Sequence, residues 1–323
     1  MNAYLGNRLQ LCGVQEVKLV GGRGEGLRLY EVTNGKGLEL KISPDRSGDI
    51  TQVKIDGINC NWLSPCGYVS PVYYDAAGAN WLKSFTAGFL TTCGLQAVGA
   101  PCVDEGEELP LHGSIANLPS SQSYWEEDDS EIRIHVMTED ELVFGRKLVL
   151  RRVITVSKEE NTFTICDEVE NTGSVVEPFQ LLYHMNMGYP LLDEDSVVTI
   201  PSVKVEPKDE AAAAGLENWM KMEKPQAGFA EQCFYHTFEG ESATVSICQP
   251  KNGVELSITA DPRNLDQFVE WKMMGVREYV LGLEFGNTLL EGRNVMRQNG
   301  ILKYLQPGEK KQYQVRVGLK KQA

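Results

Sequence analysis

The 323-residue chain has no run of apolar residues approaching the roughly 20 needed to span a bilayer. Its first ten residues, Met-Asn-Ala-Tyr-Leu-Gly-Asn-Arg-Leu-Gln, lack the basic start, apolar stretch and small-residue cleavage site of a secretory signal. A cytoplasmic location is therefore the expectation. Basic residues are outnumbered, 31 against 45 acidic, for a net charge of −14. Such a surface repels phosphate backbones and anionic headgroups, and no basic patch offsets it, so neither nucleic acid nor a membrane is an expected partner. Arg151-Arg152 and Lys310-Lys311 are isolated pairs that read as solvated strand faces. The eight cysteines form no CxxC pair, and several sit in apolar runs, as in Thr-Ile-Cys166 and Ser-Ile-Cys248. They read as reduced core thiols, not a disulfide framework or a zinc site. Walker, Rossmann and HExxH patterns are missing, so nothing calls for a nucleotide, NAD or a metal, and no cofactor is expected.

What is present is strand periodicity. Leu-Arg-Leu-Tyr-Glu-Val32, Leu-Glu-Leu-Lys-Ile42 and Ile-Thr-Gln-Val-Lys-Ile55 alternate apolar with polar residues, and Asn34-Gly35, Ser47-Gly48 and Asp56-Gly57 punctuate them. Similar runs return from Ile132 to Val156, at Thr162 to Cys166, and through the last third of the chain. One short helix is predicted, Asp209 to Trp219, with an acidic start suited to a helix N-terminus; it reads as a surface decoration. Many short strands and few helices predict an all-β fold, a large antiparallel β-sandwich. No linker or fixed repeat divides the chain, so residues 1–323 are expected to form a single domain.

Three places depart from this pattern. The stretch from Trp62 to Leu118 is glycine-rich and nearly aperiodic, and it ends in Leu111-His112-Gly113. Irregular segments of this length inside a compact domain are usually functional or disordered, and its Trp, Phe and Leu content argues against disorder. His112 is either a surface loop histidine or part of a site, its glycine neighbour permitting close backbone approach. The segment Leu181-Leu-Tyr-His-Met-Asn-Met-Gly188 reads as a buried strand. Alternation puts Leu181, Tyr183, Met185 and Met187 on one face and Leu182, His184 and Asn186 on the other. The polar pair is either a satisfied core cluster or part of a site. In Tyr279-Val-Leu-Gly-Leu-Glu-Phe-Gly286 the same rule places Glu284 between Gly282 and Gly286 on one face. Glycine inside a strand often marks close approach of a ligand, the alternative being a solvent-facing glutamate. His135, between Ile134 and Val136, reads as an exposed polar-face residue.

These pieces, with Phe85-Thr-Ala-Gly-Phe-Leu-Thr-Thr-Cys-Gly-Leu95, Trp271-Lys272 and Gly292-Arg293, occur in an order that resembles the aldose 1-epimerase (galactose mutarotase-like) superfamily, in particular a divergent aldose-epimerase-like branch. The resemblance implies a β-supersandwich with a sugar cleft on one sheet face. It gives Glu284 the role of catalytic base, His184 that of general acid, and His112 a place near the ring oxygen. Interconverting α and β anomers of an aldose requires removing the C1 hydroxyl proton while protonating the ring oxygen, work suited to a carboxylate and an imidazole. Asn186, Lys83, Trp271, Lys272 and Arg46 are the expected substrate-binding residues, with a core tryptophan and an exposed lysine as the competing readings of Trp271 and Lys272. Two departures stand out: Phe285 replaces the family's proline after the glutamate, and the early loop's arginine appears as Lys83. Asp193 and Asp266 are the candidates for an acid that holds sugar hydroxyls. An acidic or phosphorylated sugar would demand cations in the cleft, and Lys83, Lys272, Arg46 and Arg293 are the only options, so a neutral aldose is expected. A non-catalytic carbohydrate-binding protein, or an isomerase or lyase acting on an unusual sugar, are the alternatives. The superfamily also suggests a homodimer.

Overall fold

A computed structural model describes residues 3–322; the first two residues of the N-terminal segment weighed above lie outside it. Three antiparallel sheets account for most of the chain. The first carries five strands in chain order from Gly13–Lys18 to Ile58–Asn59. The second has eight strands, in which Glu131–Glu141, Lys147–Ser157 and Thr162–Asn171 are followed by the C-terminal strand Lys310–Lys321. The third has seven, with Gln232–Thr237, Gln267–Gly275, Glu278–Gly286 and Glu177–Met187 as consecutive neighbours and Leu90–Leu95 paired to Glu177–Met187. One apolar cluster from Val14 to Leu319 fills the space between the sheets, so the architecture is the expected β-sandwich. The helices Glu210–Gly215 and Arg293–Gln298 are short. Among the described residues no helix is long and apolar enough to cross a membrane.

Where one sheet face meets water the alternation is clean. Glu131–Glu141 and Lys147–Ser157 point every second residue into the core. Leu90–Leu95 is buried along its whole length, which is why alternation could not find it inside the glycine-rich stretch. Asp209 caps the helix Glu210–Gly215 by accepting from the Ala212 amide. That helix is more than a decoration: the turn after it supplies the Asn218 and Lys221 carbonyls that accept from Lys272 Nζ at 2.9 and 2.7 Å.

Three readings need correction, those of the Arg151-Arg152 pair, the cysteines and His135. Arg152 is not solvated; only Arg151 faces outward. Arg152 lies fully buried, forks onto Asp167 at 2.8 and 2.7 Å and donates to Thr92 Oγ1 at 2.9 Å, with Tyr183 closing on the same carboxylate at 2.8 Å. Adjacent strand residues point to opposite faces, so a paired Arg-Arg cannot be read as one surface. All eight cysteines are free, but only Cys60, Cys93 and Cys233 are buried, and Cys166 is exposed. His135 is half-buried, its ring stacked on Tyr124 with centroids 4.5 Å apart.

On the core face of the third sheet His236 Nε2 lies 3.3 Å from Glu270 Oε2, both side chains wholly buried, with Trp219 and Phe268 against the imidazole. Burial pushes the Glu270 carboxyl well above its ordinary range and lowers His236 to about 4.

Candidate active site

The other face of that sheet carries a second histidine and glutamate. Glu177–Met187 runs antiparallel to Glu278–Gly286, with Leu182 opposite Gly286 and Asn186 opposite Gly282. The register between those pairs sets His184 across from Glu284, and a period of two turns both side chains to one face. His184 Nδ1 and Glu284 Oε1 are 3.2 Å apart. The approach is not aligned as a hydrogen bond, and neither atom has a hydrogen-bond partner among the described residues. The glycines beside Glu284 serve this packing. A Cβ at Gly282 would sit 2.2 Å from Glu284 Oε1, and one at Gly286 would sit 2.8 Å from the Leu181 carbonyl. The space they leave is filled by the protein itself.

The pair forms the floor of a cavity of about 320 Å³. Trp81 and Phe85, stacked with centroids 4.5 Å apart, make one wall and Trp271 another. Phe85 and Trp271 set their rings 5.3 and 5.2 Å from that of His184. His112 completes the group, its ring 5.6 Å from His184 and 4.9 Å from Trp81. Its backbone is held in the left-handed region at φ 56°, between a carbonyl accepting from Gly94 and an amide donating to Gly99. Gly113 lets the chain pass there, since a Cβ would lie 2.3 Å from the Gly94 carbonyl. The Gly99 amide donates to His112 Nδ1 at 3.4 Å, which leaves the proton of the neutral ring on Nε2. At the mouth Glu231 accepts from Trp271 Nε1 at 2.9 Å, beside Lys208 and Cys233.

Burial controls the electrostatics. It pushes the Glu284 carboxyl well above the ordinary range, with a smaller push from the Glu231 charge. It brings His184 down to about 3, aided by nearby His112, and His112 itself to about 4. Both imidazoles are therefore neutral near neutral pH, and burial favours the protonated form of the carboxyl. The floor thus sets a carboxyl that favours its proton beside an imidazole that does not. Among the described residues no group of three or more His, Cys, Asp or Glu side chains is arranged to hold a metal ion.

Of the residues singled out in the sequence, Glu284, His184, His112 and Trp271 line this one cavity. Asn186 is buried one step along the strand and donates to the His184 carbonyl at 3.0 Å, supporting the backbone instead of lining the space. Lys272 follows Trp271 in a strand and so points to the opposite face, toward the Asn218 and Lys221 carbonyls. Arg46 is fully buried behind the wall, donating to the Val69 and Ser84 carbonyls and to Asn117 Oδ1 at 3.1, 3.3 and 3.2 Å. It fastens the segment that presents Trp81 and Phe85. Lys83 is 63% exposed and lies 3.7 Å from Asp75, outside the cavity. Asp193 pairs with Lys251 at 2.8 Å, Asp266 with Lys303, and Arg293 with Asp104 at 2.6 Å; none of the three lines the cavity. Sequence reasoning passed over Trp81, Phe85 and Glu231. The first two carried a signal, as aromatics concentrated in the aperiodic stretch.

This fold is that of galactose mutarotase-like proteins. A candidate aldose 1-epimerase from Klebsiella pneumoniae superposes with a TM-score of 0.89 at 26% identity, covering 95% of this chain and 83% of that one. A galactose mutarotase-like protein from Clostridium acetobutylicum gives 0.67 at 12% identity, over 97% of this chain and 100% of that one. The galactose 1-epimerase of Lactobacillus acidophilus gives 0.66 at 15%, again over 97% and 100%. No curated protein matches the sequence. The chain belongs to the family described as Domain of unknown function (DUF4432), whose model matches residues 24–319.

Proposed function

We propose that this protein is a cofactor-free aldose 1-epimerase, interconverting the α and β anomers of a sugar by acid–base ring opening. The observation that carries the reading is the buried approach of His184 Nδ1 to Glu284 Oε1 at 3.2 Å on the floor of an aromatic-walled cavity. An aldose entering it would bring hydroxyl donors to a carboxylate that has none, which favours the ionised form and returns the proton to His184. Glu284 then takes the C1 hydroxyl proton, the bond from C1 to the ring oxygen breaks, and that oxygen receives its electron pair and a proton from His184. Rotation about C1–C2 and the reverse transfers give the other anomer, with no net change in the protein. Each proton transfer contributes about 10² to 10⁴ in rate. His112, with its Nε2 proton, is suited to donate a hydrogen bond to the ring oxygen. Trp271, Trp81 and Phe85 supply ring-sized apolar faces, and Lys208 is the only cation among the cavity-lining residues, which favours a neutral sugar.

The test is NMR magnetisation exchange between the anomers of a panel of aldoses, with wild-type protein and with Glu284→Gln. Faster exchange that the variant loses is the expected result. Binding of a sugar without any acceleration would replace the enzyme with a carbohydrate-binding protein.

A further inference from the structure

A second concavity, of about 450 Å³, backs onto the first across Trp62. The Trp62 ring packs 6.2 Å from both Trp271 and Phe85 on the cavity side, and it also lines the outer groove together with Tyr68, Tyr189 and Tyr279. Tyr189 is 73% exposed, yet its segment is held: the Asn59 amide donates to the Tyr189 carbonyl at 2.9 Å. Gly188 lets this segment lie directly on Trp62, since a Cβ there would come within 2.6 Å of the Trp62 backbone. Aromatic side chains presented to water on a fixed backbone are the usual means of binding a flat, half-apolar ring.

The charge of the groove is unlike that of the rest of the molecule. The chain carries 45 acidic residues, and not one lines this concavity. Its single charged residue is Arg277, at the tip of the hairpin joining Gln267–Gly275 to Glu278–Gly286. The Arg277 guanidinium and the Gln52 side-chain amide have no partner among the described residues. Arg277 also holds a φ of 68°, a left-handed conformation that glycine or asparagine adopts at less cost. An unpaired fork donor kept at a strained tip, beside aromatic rings and in ion-pair contact with no carboxylate among the described residues, matches a ring that carries its own carboxylate.

We infer that this groove is an accessory carbohydrate site for an acidic sugar, with Tyr189, Tyr68 and Trp62 against the ring and Arg277 on the carboxylate. It stands apart from the acid–base pair, and its test uses ligands that cannot undergo the proposed reaction. Methyl β-glucuronide and methyl β-glucoside lack a free anomeric hydroxyl, and calorimetric titration of each reports binding alone. The glucuronide is expected to bind about tenfold more tightly, in line with a charge-assisted fork contact. Arg277→Asn, which suits the positive φ, should erase that preference, Tyr189→Ala should weaken the glucuronide, and Glu284→Gln should leave the preference for the glucuronide in place. Equal affinity for the two glycosides, no binding of the glucuronide, or loss of glucuronide binding in Glu284→Gln would overturn the inference.

Discussion

His184 and Glu284 face each other across two neighbouring antiparallel strands with 3.2 Å between Nδ1 and Oε1, close enough to share a proton and too poorly aligned to lock it in a hydrogen bond. A pair in that state is ready to exchange its proton with a third group. If the two residues act as one unit, His184→Asn and Glu284→Gln should each lower the rate of anomer exchange by about 10² to 10⁴, and the double variant should lose little more than the worse single. Rates from line shape or saturation transfer, with near-UV circular dichroism as a check on folding, decide this. Additive losses would separate the two roles.

Gly282 is the residue that leaves room for the carboxylate. Gly282→Ala places a Cβ where Glu284 Oε1 now lies, with Trp271 Cβ only 3.0 Å away on the other side. The backbone at 282 is not in the left-handed region, so the strain is local to the site. Exchange activity should fall by at least about tenfold, with a stability loss of about 1–3 kcal/mol by urea denaturation. Full activity in the alanine variant would mean that the carboxylate position is not critical.

Glu270 yields a prediction about pH. Its carboxyl is held well above the ordinary value by burial, so the folded protein retains a proton that the unfolded chain releases above about 4.5. That contribution to stability is complete at low pH and is lost as pH rises toward the folded value. Glu270→Gln imitates the protonated form and should gain on the wild type between pH 5 and pH 8, by up to about 1.4 kcal/mol per pH unit. Parallel denaturation series across that range are the check. A constant offset would show that Glu270 ionises normally.

Much of this was legible because strands have a period of two. Alternation alone separated Leu182, His184 and Asn186 from Leu181, Tyr183, Met185 and Met187, and it set Glu284 between Gly282 and Gly286; the two core clusters divide along those lines. The same rule, applied to adjacent residues, would have sent Lys272 away from Trp271 and Arg152 away from Arg151. What the pattern could not supply was depth. Leu90–Leu95 is covered on both faces and so has no alternation to read, and Arg46 is a fastener only because residues far along the chain fold over it. The walls formed by Trp81 and Phe85 come from a stretch with no period at all, where composition is the only clue.

One sheet carries two histidine–glutamate couples of nearly equal spacing, 3.2 Å on one side and 3.3 Å on the other, and differs in what lies above each. Over His184 and Glu284 there is a cavity; against His236 there is the ring of Trp219. On the proposed reading, access is what separates the two couples, because one opens onto a cavity and the other lies under an indole. The reverse-face couple has no such opening, since Trp219 and Phe268 both pack against the His236 ring and Ser202 Oγ lies 3.1 Å from its Nδ1.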